Sequence, residues 1–235
     1  MVKLEDLPLL ADERLQGHRL VNSKFPPIHL FDDVANAEDF AVLHQLQVLT
    51  NPRLQNELGR LELIPREQIP FGISGCSYAT APFTHVNPEG SRFSDGTFGF
   101  LYLADHPDTA LAEVHHHQKA YWSKVPALKY ERFVFRNLSV SFSEKGVRDA
   151  LVLKAADPIH DPLDYSAARS LGAAAKRAGC PGLRYRSVRR PGSHCWALLT
   201  PRLVTAVVQA APVEMIWNGG IISVNRLTAV PGESD

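Results

Sequence analysis

The sequence predicts an α+β fold: a mixed β core with flanking helices and an N-terminal helical layer. Three observations lead there. Leucines recur at helical spacing before residue 62, short apolar runs of strand length dominate after Gly99, and one Ala-rich segment interrupts those runs. Strand candidates outnumber helix candidates in the second half, and short turns link several of them. We divide the chain into residues 1–80, the N-terminal layer, and 81–235, the core, packed as a single unit.

The elements follow in order. Residues 1–70 read as mostly helical around two loops. Within Asp39–Glu62, Phe40, Leu43, Leu46, Leu49, Leu54, Leu58 and Leu61 sit mainly three and four apart, as amphipathic helices require. Pro52 suits the first turn of a second helix, where a missing N–H costs little. From Pro65 to Pro88, Pro, Gly, Ser and Thr mark a long connection. Phe100–Ala104 is an apolar run bounded by Gly99 and Asp105-His106-Pro107 and reads as a buried strand. Asp105–Asp108 supplies helix-start chemistry for a helix running to Trp122. Arg132–Leu138 and Ser139–Phe142 alternate as strands do, and Ser166–Ala178 is a helix ended by Gly179. Gly182–Val188, Cys195–Leu199, Val204–Ala210 and Ile221–Val224 complete the strand set.

Composition narrows the functions. The 235 residues carry 25 Lys+Arg against 25 Asp+Glu, with 45% hydrophobic residues. A chain without net charge lacks the broad cationic field of a non-specific nucleic-acid or anionic-membrane binder. No run approaches the roughly 18 apolar residues of a membrane span, and the N-terminus does not read as a secretory signal. The three cysteines, Cys76, Cys180 and Cys195, form no CxxC pair, which suits a reducing cytoplasm.

Four segments hold polar residues that could do chemistry. Asn87–Gly96 has glycines that permit close backbone approach, and Arg92 can present a bidentate fork to phosphate or carboxylate. Taken alone, a surface turn with a solvated Arg is the better explanation. Tyr102 shares a strand face with Phe100 and Ala104; it is either a core tyrosine or an aromatic surface for a flat ring. Glu113 shares a helix face with Ala110 and His117 and is hemmed in by Leu111, Ala112 and Val114, so its carboxylate needs a partner or a task. His115, His116 and His117 point about 100° apart on a helix and cannot close on one ion, so we expect no metal.

The fourth segment, Gly182–Ser193, contains the basic cluster that the net charge hides: Arg184, Arg186, Arg189 and Arg190. In a strand, Arg184 and Arg186 share one face and Tyr185, Ser187 and Arg189 the other. Ser187 is thereby grouped with an aromatic and a basic residue, a suitable place for a pyrophosphate. No GxSxG elbow surrounds it, and the stripe does not continue as a nucleic-acid patch would.

Together these stretches resemble the RES-domain family, toxins named for an arginine, a glutamate and a serine. The matching motifs are Ser91-Arg92-Phe93, Phe98–Ala104, Thr109–Val114, Gly182–Arg189 and Cys195–Leu199, with His18–Val21, Phe25–Ile28, Leu30–Val34, Leu49–Leu54 and Phe83–His85 upstream. The resemblance implies an ADP-ribosyltransferase-like fold, consumption of NAD+, and an Xre-like antitoxin partner. It implies catalytic roles for Arg92, Tyr102, Glu113 and Ser187, and cofactor contacts from Arg92, Phe93, Tyr102, His117, Arg184 and Ser187. Where many members have Asn-Pro after the Arg-Phe/Trp pair, this chain has Ser94-Asp95-Gly96.

The expected reaction is cleavage of the nicotinamide–ribose bond of NAD+, with NADP+ accepted if Arg184, Arg186 or Arg190 meets its 2′-phosphate. Water, inorganic phosphate or a protein side chain as acceptor would make the chain an NAD+ glycohydrolase, a phosphorylase or a mono-ADP-ribosyltransferase. A non-catalytic nucleotide-binding regulatory domain is the remaining alternative. Oligomeric state is left open.

Overall fold

The computed structural model describes residues 2–24, 38–39 and 59–228. Its centre is an eight-stranded sheet ordered β4-β5-β6-β2-β1-β3-β7-β8. The strands are β1 (Arg14–Asn22), β2 (Leu101–Ala104), β3 (Glu131–Ser143), β4 (Arg148–Asp149), β5 (Gly182–Arg186), β6 (His194–Leu198), β7 (Val204–Trp217) and β8 (Ile221–Arg226). All neighbours are antiparallel except β4 and β5. Among the described residues three α-helices with given bounds accompany it: α1 (Cys76–Thr84), α2 (Pro107–Trp122) and α3 (Ser166–Arg177). The fold is α+β.

Strand alternation sorts the core into two layers. On one face Tyr102, Leu183, Tyr185 and Ala197 meet Ala110, Leu111 and Val114 of α2 and Ala168, Leu171 and Ala175 of α3. On the other, Leu101, Leu103, Trp196 and Leu198 meet Cys76, Ala79 and Phe83 of α1. Because side chains of adjacent residues leave opposite faces, Tyr102 belongs to the first layer and its neighbours Leu101 and Leu103 to the second.

The N-terminal part differs from the helical reading. Arg14–Asn22 is a strand in mid-sheet, paired with β2 through His18 and Ala104 and with β3 from Arg14 to Asn22. Gly17 explains how it fits: a Cβ there would lie 2.9 Å from that of Leu103. Residue 80 itself falls inside α1. Most of the helices expected over Asp39–Glu62 lie outside the described residues, and Leu61–Leu63 is a short 3₁₀ turn.

The expected connection from Pro65 to Pro88 contains α1, a helix with Pro82 inside it and no side-chain cap. Its usual start signals are missing, which hid it from sequence. The expected strands within Arg132–Phe142 are one continuous strand, β3. All three cysteines are buried free thiols, and no helix of the described residues is long and apolar enough to cross a membrane.

Candidate active site

Four segments converge over the face carrying α2 and α3: the 87–100 loop, β2, α2 and the 187–193 loop that follows β5. Helix α2 starts at Pro107, whose fixed φ and missing N–H suit a first turn. The ring Nδ1 of His106 caps it by accepting from the Asp108 N–H at 3.2 Å. Asp105, expected among the starting residues, instead accepts from the His194 N–H at 3.0 Å. The helix carries Glu113 two turns in, facing the sheet.

Ser187 reaches that carboxylate. Its hydroxyl donates to Glu113 Oε1 at 2.6 Å, within the range of charge-assisted O–H···O⁻ bonds. The same oxygen accepts from the backbone N–H of Arg189 at 3.3 Å and of Arg190 at 3.2 Å. One donor and two acceptor positions complete the capacity of a hydroxyl. Ser187, buried beneath the loop, therefore fixes the orientation of Glu113 and the shape of the turn at once. Arg190 adds a second tie by donating to Thr109 Oγ1 at 3.1 Å.

Tyr102 plays a comparable part on the other side. Its hydroxyl lies 2.8 Å from Ser91 Oγ and accepts from the Phe93 N–H at 3.1 Å, bracketing Arg92. Burial pushes its pKa up to about 12, against the opposing effect of the Ser91 and Phe93 hydrogen bonds, so it stays a neutral phenol at pH 7. Helix α3 presses on the same loop. Arg169 donates to Ser91 O at 3.0 Å, and Gly172 lies so close that a Cβ would sit 1.9 Å from Phe93 O.

Arg92 is buried, with 8% of its surface exposed. Its Nη1 donates to the carbonyls of Ile159 at 3.3 Å and Asp161 at 2.9 Å, and its guanidinium lies 4.4 Å from the centre of the Tyr165 ring. No carboxylate pairs with it among the described ion pairs. Glu113, Tyr102 and Arg92 all act electrostatically on buried Tyr185. Burial comes first in pushing the Tyr185 phenol up.

His117, one turn beyond Glu113, is brought to this group as well. Crowding by protein atoms lowers its pKa to about 4, and the positive charges of His116, Arg189 and Arg92 add to that. Its ring is neutral at pH 7 even though the residue keeps an exposed side. His116 is lowered for the same first reason, helped by Arg189.

Two expected residues are not brought together with the rest. Phe93 is wholly buried, its ring 4.9 Å from Tyr185 and 6.1 Å from Phe100, so its side chain is core and offers no surface to a cofactor. Arg184 leaves the opposite face of β5. It donates to Asp149 Oδ2 at 2.8 Å and Glu144 Oε1 at 3.3 Å, and Trp196 donates to the same glutamate at 2.9 Å. A guanidinium between two carboxylates has no charge to spare for an anion, which corrects the expected cofactor contact.

Sequence reasoning missed Ser91, Asp161, Tyr165 and Arg169, which fasten Arg92 and its loop. Their contacts span 69 residues between Arg92 and Asp161 and 78 between Arg169 and Ser91. No local pattern carries such pairs. No cluster of His, Cys, Asp or Glu that could hold a metal ion occurs among the described residues.

The chain is 28% identical over 208 residues to the uncharacterized protein y4oC of Sinorhizobium fredii, covering 88% of this chain and 84% of that protein. Among solved structures it matches the M. tuberculosis MbcT–MbcA toxin–antitoxin complex, with a TM-score of 0.36 and 15% identity. That match covers 52% of this chain and 73% of that one. The model of the RES domain matches residues 69–218, which include Arg92, Tyr102, Glu113 and Ser187 and exclude β1. This chain belongs to the RES domain family.

Proposed function

We propose that the chain is the toxin of a toxin–antitoxin pair and cleaves the nicotinamide–ribose bond of NAD+, depleting the cell's cofactor by hydrolysis or phosphorolysis. The observation that carries this reading is the 2.6 Å bond from Ser187 to Glu113, which holds a carboxylate in fixed orientation on the sheet face that also carries Tyr102, while the buried Arg92 takes part in none of the described ion pairs. Cleavage at an anomeric carbon passes through an oxocarbenium-like state. A preoriented carboxylate beside the ribose stabilises the charge that develops there.

In this mechanism Arg92 binds the pyrophosphate, Tyr102 and neutral His117 border the nicotinamide side, and Glu113 hydrogen-bonds the ribose. The C–N bond breaks with its electron pair returning to the pyridinium ring, so nicotinamide leaves neutral. Water then adds to the anomeric carbon, releasing a proton and ADP-ribose; inorganic phosphate would give ADP-ribose 1″-phosphate instead. None of Arg184, Arg186 and Arg190 is placed for the 2′-phosphate of NADP+: Arg184 and Arg186 share the face of β5 away from Glu113, and Arg190 pairs with Asp108. Family resemblance supports an Xre-like antitoxin as partner, and buried free thiols suit a cytoplasmic setting.

The test uses purified, partner-free protein with NAD+, with and without phosphate, and identifies products by mass spectrometry. Nicotinamide release is expected, falling by roughly 10²- to 10³-fold in Glu113→Ala. A labelled protein band would reassign the chain as a mono-ADP-ribosyltransferase. Saturable binding with intact NAD+ would make it a nucleotide-binding regulatory domain and overturn the proposal.

A further inference from the structure

Five arginines lie on or near the 182–193 stretch and α2, and their partners divide them. Arg184 is held by Asp149 and Glu144, and Arg190 and Arg226 both pair with Asp108. Arg186 donates to the carbonyls of Leu151 and Leu153 from the same face of β5 as Arg184. Arg189 differs from Arg186 in the face it takes and from all four in one nitrogen. Its Nη2 donates to the carbonyl of Pro162 at 2.6 Å, it takes part in none of the described ion pairs, and its Nε is buried without a hydrogen-bond partner. It is the one arginine nitrogen in that condition among the described residues. A buried cationic donor left unpaired is costly unless a ligand completes it.

Arg92 has the same kind of anchorage, and on the same segment. Its carbonyl partners are Ile159 and Asp161; that of Arg189 is the next residue, Pro162. Adjacent carbonyls hold the two guanidinium groups within about 10 Å of each other. Both charges reach His117 and His116 from there.

The segment that carries these carbonyls is stiffened along its length. Asp157 accepts from Ile159 N, Asp161 accepts from Leu163 N and Asp164 N, and Asp164 accepts from Ser166 N at the start of α3. Pro158 and Pro162 restrict it further. Carbonyl anchors fix position without forming an ion pair: neither guanidinium takes part in any of the described ion pairs, although the Asp161 carboxylate feels the charge of Arg92.

We propose that Arg189 is the second anion-binding residue of this site, and that residues 157–166 act as a crosspiece that sets its spacing from Arg92 for a diphosphate. The inference deepens the proposed function and rests on it only for which diphosphate is bound. Ser187 is connected to it directly, because the hydroxyl that orients Glu113 also accepts the backbone N–H of Arg189.

The experiment titrates inorganic pyrophosphate into the full chain by calorimetry, comparing wild type, Arg189→Gln, Arg189→Lys and, as a control, Arg226→Gln. Arg189→Gln is expected to weaken binding about 10- to 100-fold, as loss of a charge-assisted bond does. Arg189→Lys should recover part of the affinity, and Arg226→Gln should bind within twofold of wild type. A second reading needs only the wild-type fold: the Nε–Hε resonance of Arg189 should shift on pyrophosphate addition. Equal affinity in Arg189→Gln, or an unmoved resonance at saturating pyrophosphate, overturns the inference. Arg189-dependent pyrophosphate binding by a protein that leaves NAD+ intact would refute the proposed function alone. Nicotinamide release with Arg189-independent pyrophosphate binding would refute this inference alone.

Discussion

Replacing Ser187 by Ala tests whether that residue serves Glu113 or touches the cofactor. The change removes a 2.6 Å bond to a carboxylate and the acceptor of two backbone N–H groups at 3.3 and 3.2 Å. A hydrogen bond to a charged group contributes about 1.5–3 kcal/mol. If that orientation is needed only as charge develops on the ribose, the whole loss falls on the transition state. At 1.36 kcal/mol per decade the rate should drop roughly 10- to 150-fold. The assay is steady-state nicotinamide release with kcat and KM resolved. We expect kcat to carry the loss and KM to move less than threefold. In a Glu113→Ala background the second change should add almost nothing, because the two residues act as one unit. An unchanged kcat with KM raised tenfold would refute the reasoning and make Ser187 a direct cofactor contact.

Three further outcomes follow from the same contacts. Gly172→Ala should destabilise the protein by about 3 kcal/mol in urea unfolding, since its Cβ would sit 1.9 Å from Phe93 O and push the Arg92 loop out of place; stability within 0.5 kcal/mol of wild type, roughly the scatter of neutral surface changes, would contradict the packing. Arg184→Met leaves Glu144 and Asp149 without their cation, where breaking a buried pair costs about 3–5 kcal/mol; the partial exposure of Arg184 reduces that to about 2–4. Specific activity of the folded fraction should hold, because Arg184 lies on the face away from Glu113. Burial raises Asp149, but the Arg184 hydrogen bond, the Leu151 N–H and the Arg184 charge outweigh it and hold its pKa below the usual 3.8. That stability is therefore present above about pH 4 and lost as pH falls through the lower folded value, a loss Arg184→Met should abolish. His117, lowered from 6.5 to about 4, takes up its proton more readily unfolded. Stability should decline as pH drops from 6.5 toward 4, and His117→Gln should flatten that slope in pH-dependent thermal unfolding.

The legible parts of the fold were those with local causes. Helix α2 has Pro107 at its first turn and good helix formers behind it, and α3 ends where Gly179 takes a φ of +63°. Strand β2 is short, apolar and bounded by turn residues. β1 was not legible, because Arg14-Leu15-Gln16-Gly17-His18-Arg19 has little of a strand's apolar alternation and is held by neighbours more than 80 residues away. Arg19 shows the cause: it donates to the carbonyl of Tyr102 at 3.2 Å, a partner no nearby residue announces. At the site, the side chains that present chemistry were readable from type and face. Of those that hold them, Ser91 stands in a recognised motif but without a legible role, while Asp161, Tyr165 and Arg169 act through backbone carbonyls or contacts more than 65 residues away in sequence and leave no mark on it.

The arginine cluster shows why proximity in sequence is a poor guide to function and strand parity a better one. Arg184 and Ser187 are three residues apart, yet the odd spacing sends them to opposite faces of β5 and its extension. On the α1 side, Arg184 meets Glu144, Asp149 and Trp196 and completes a network in which two carboxylates outweigh its single charge. On the α2 side, Ser187 meets Glu113, and Arg189 is anchored by a carbonyl that leaves its charge intact. Zero net charge therefore hides an uneven distribution: Arg184 lies between two carboxylates, whereas Arg92 and Arg189 take part in none of the described ion pairs. Adding a carboxylate beside Arg189 would test the point without touching Glu113. Pro162→Glu, at an exposed position, should weaken pyrophosphate binding severalfold at low salt and recover at high salt, because the new charge competes with the ligand through a screened field. A salt-independent loss would mean that the backbone of the 157–166 segment, and not the free charge of the two arginines, governs what the site accepts.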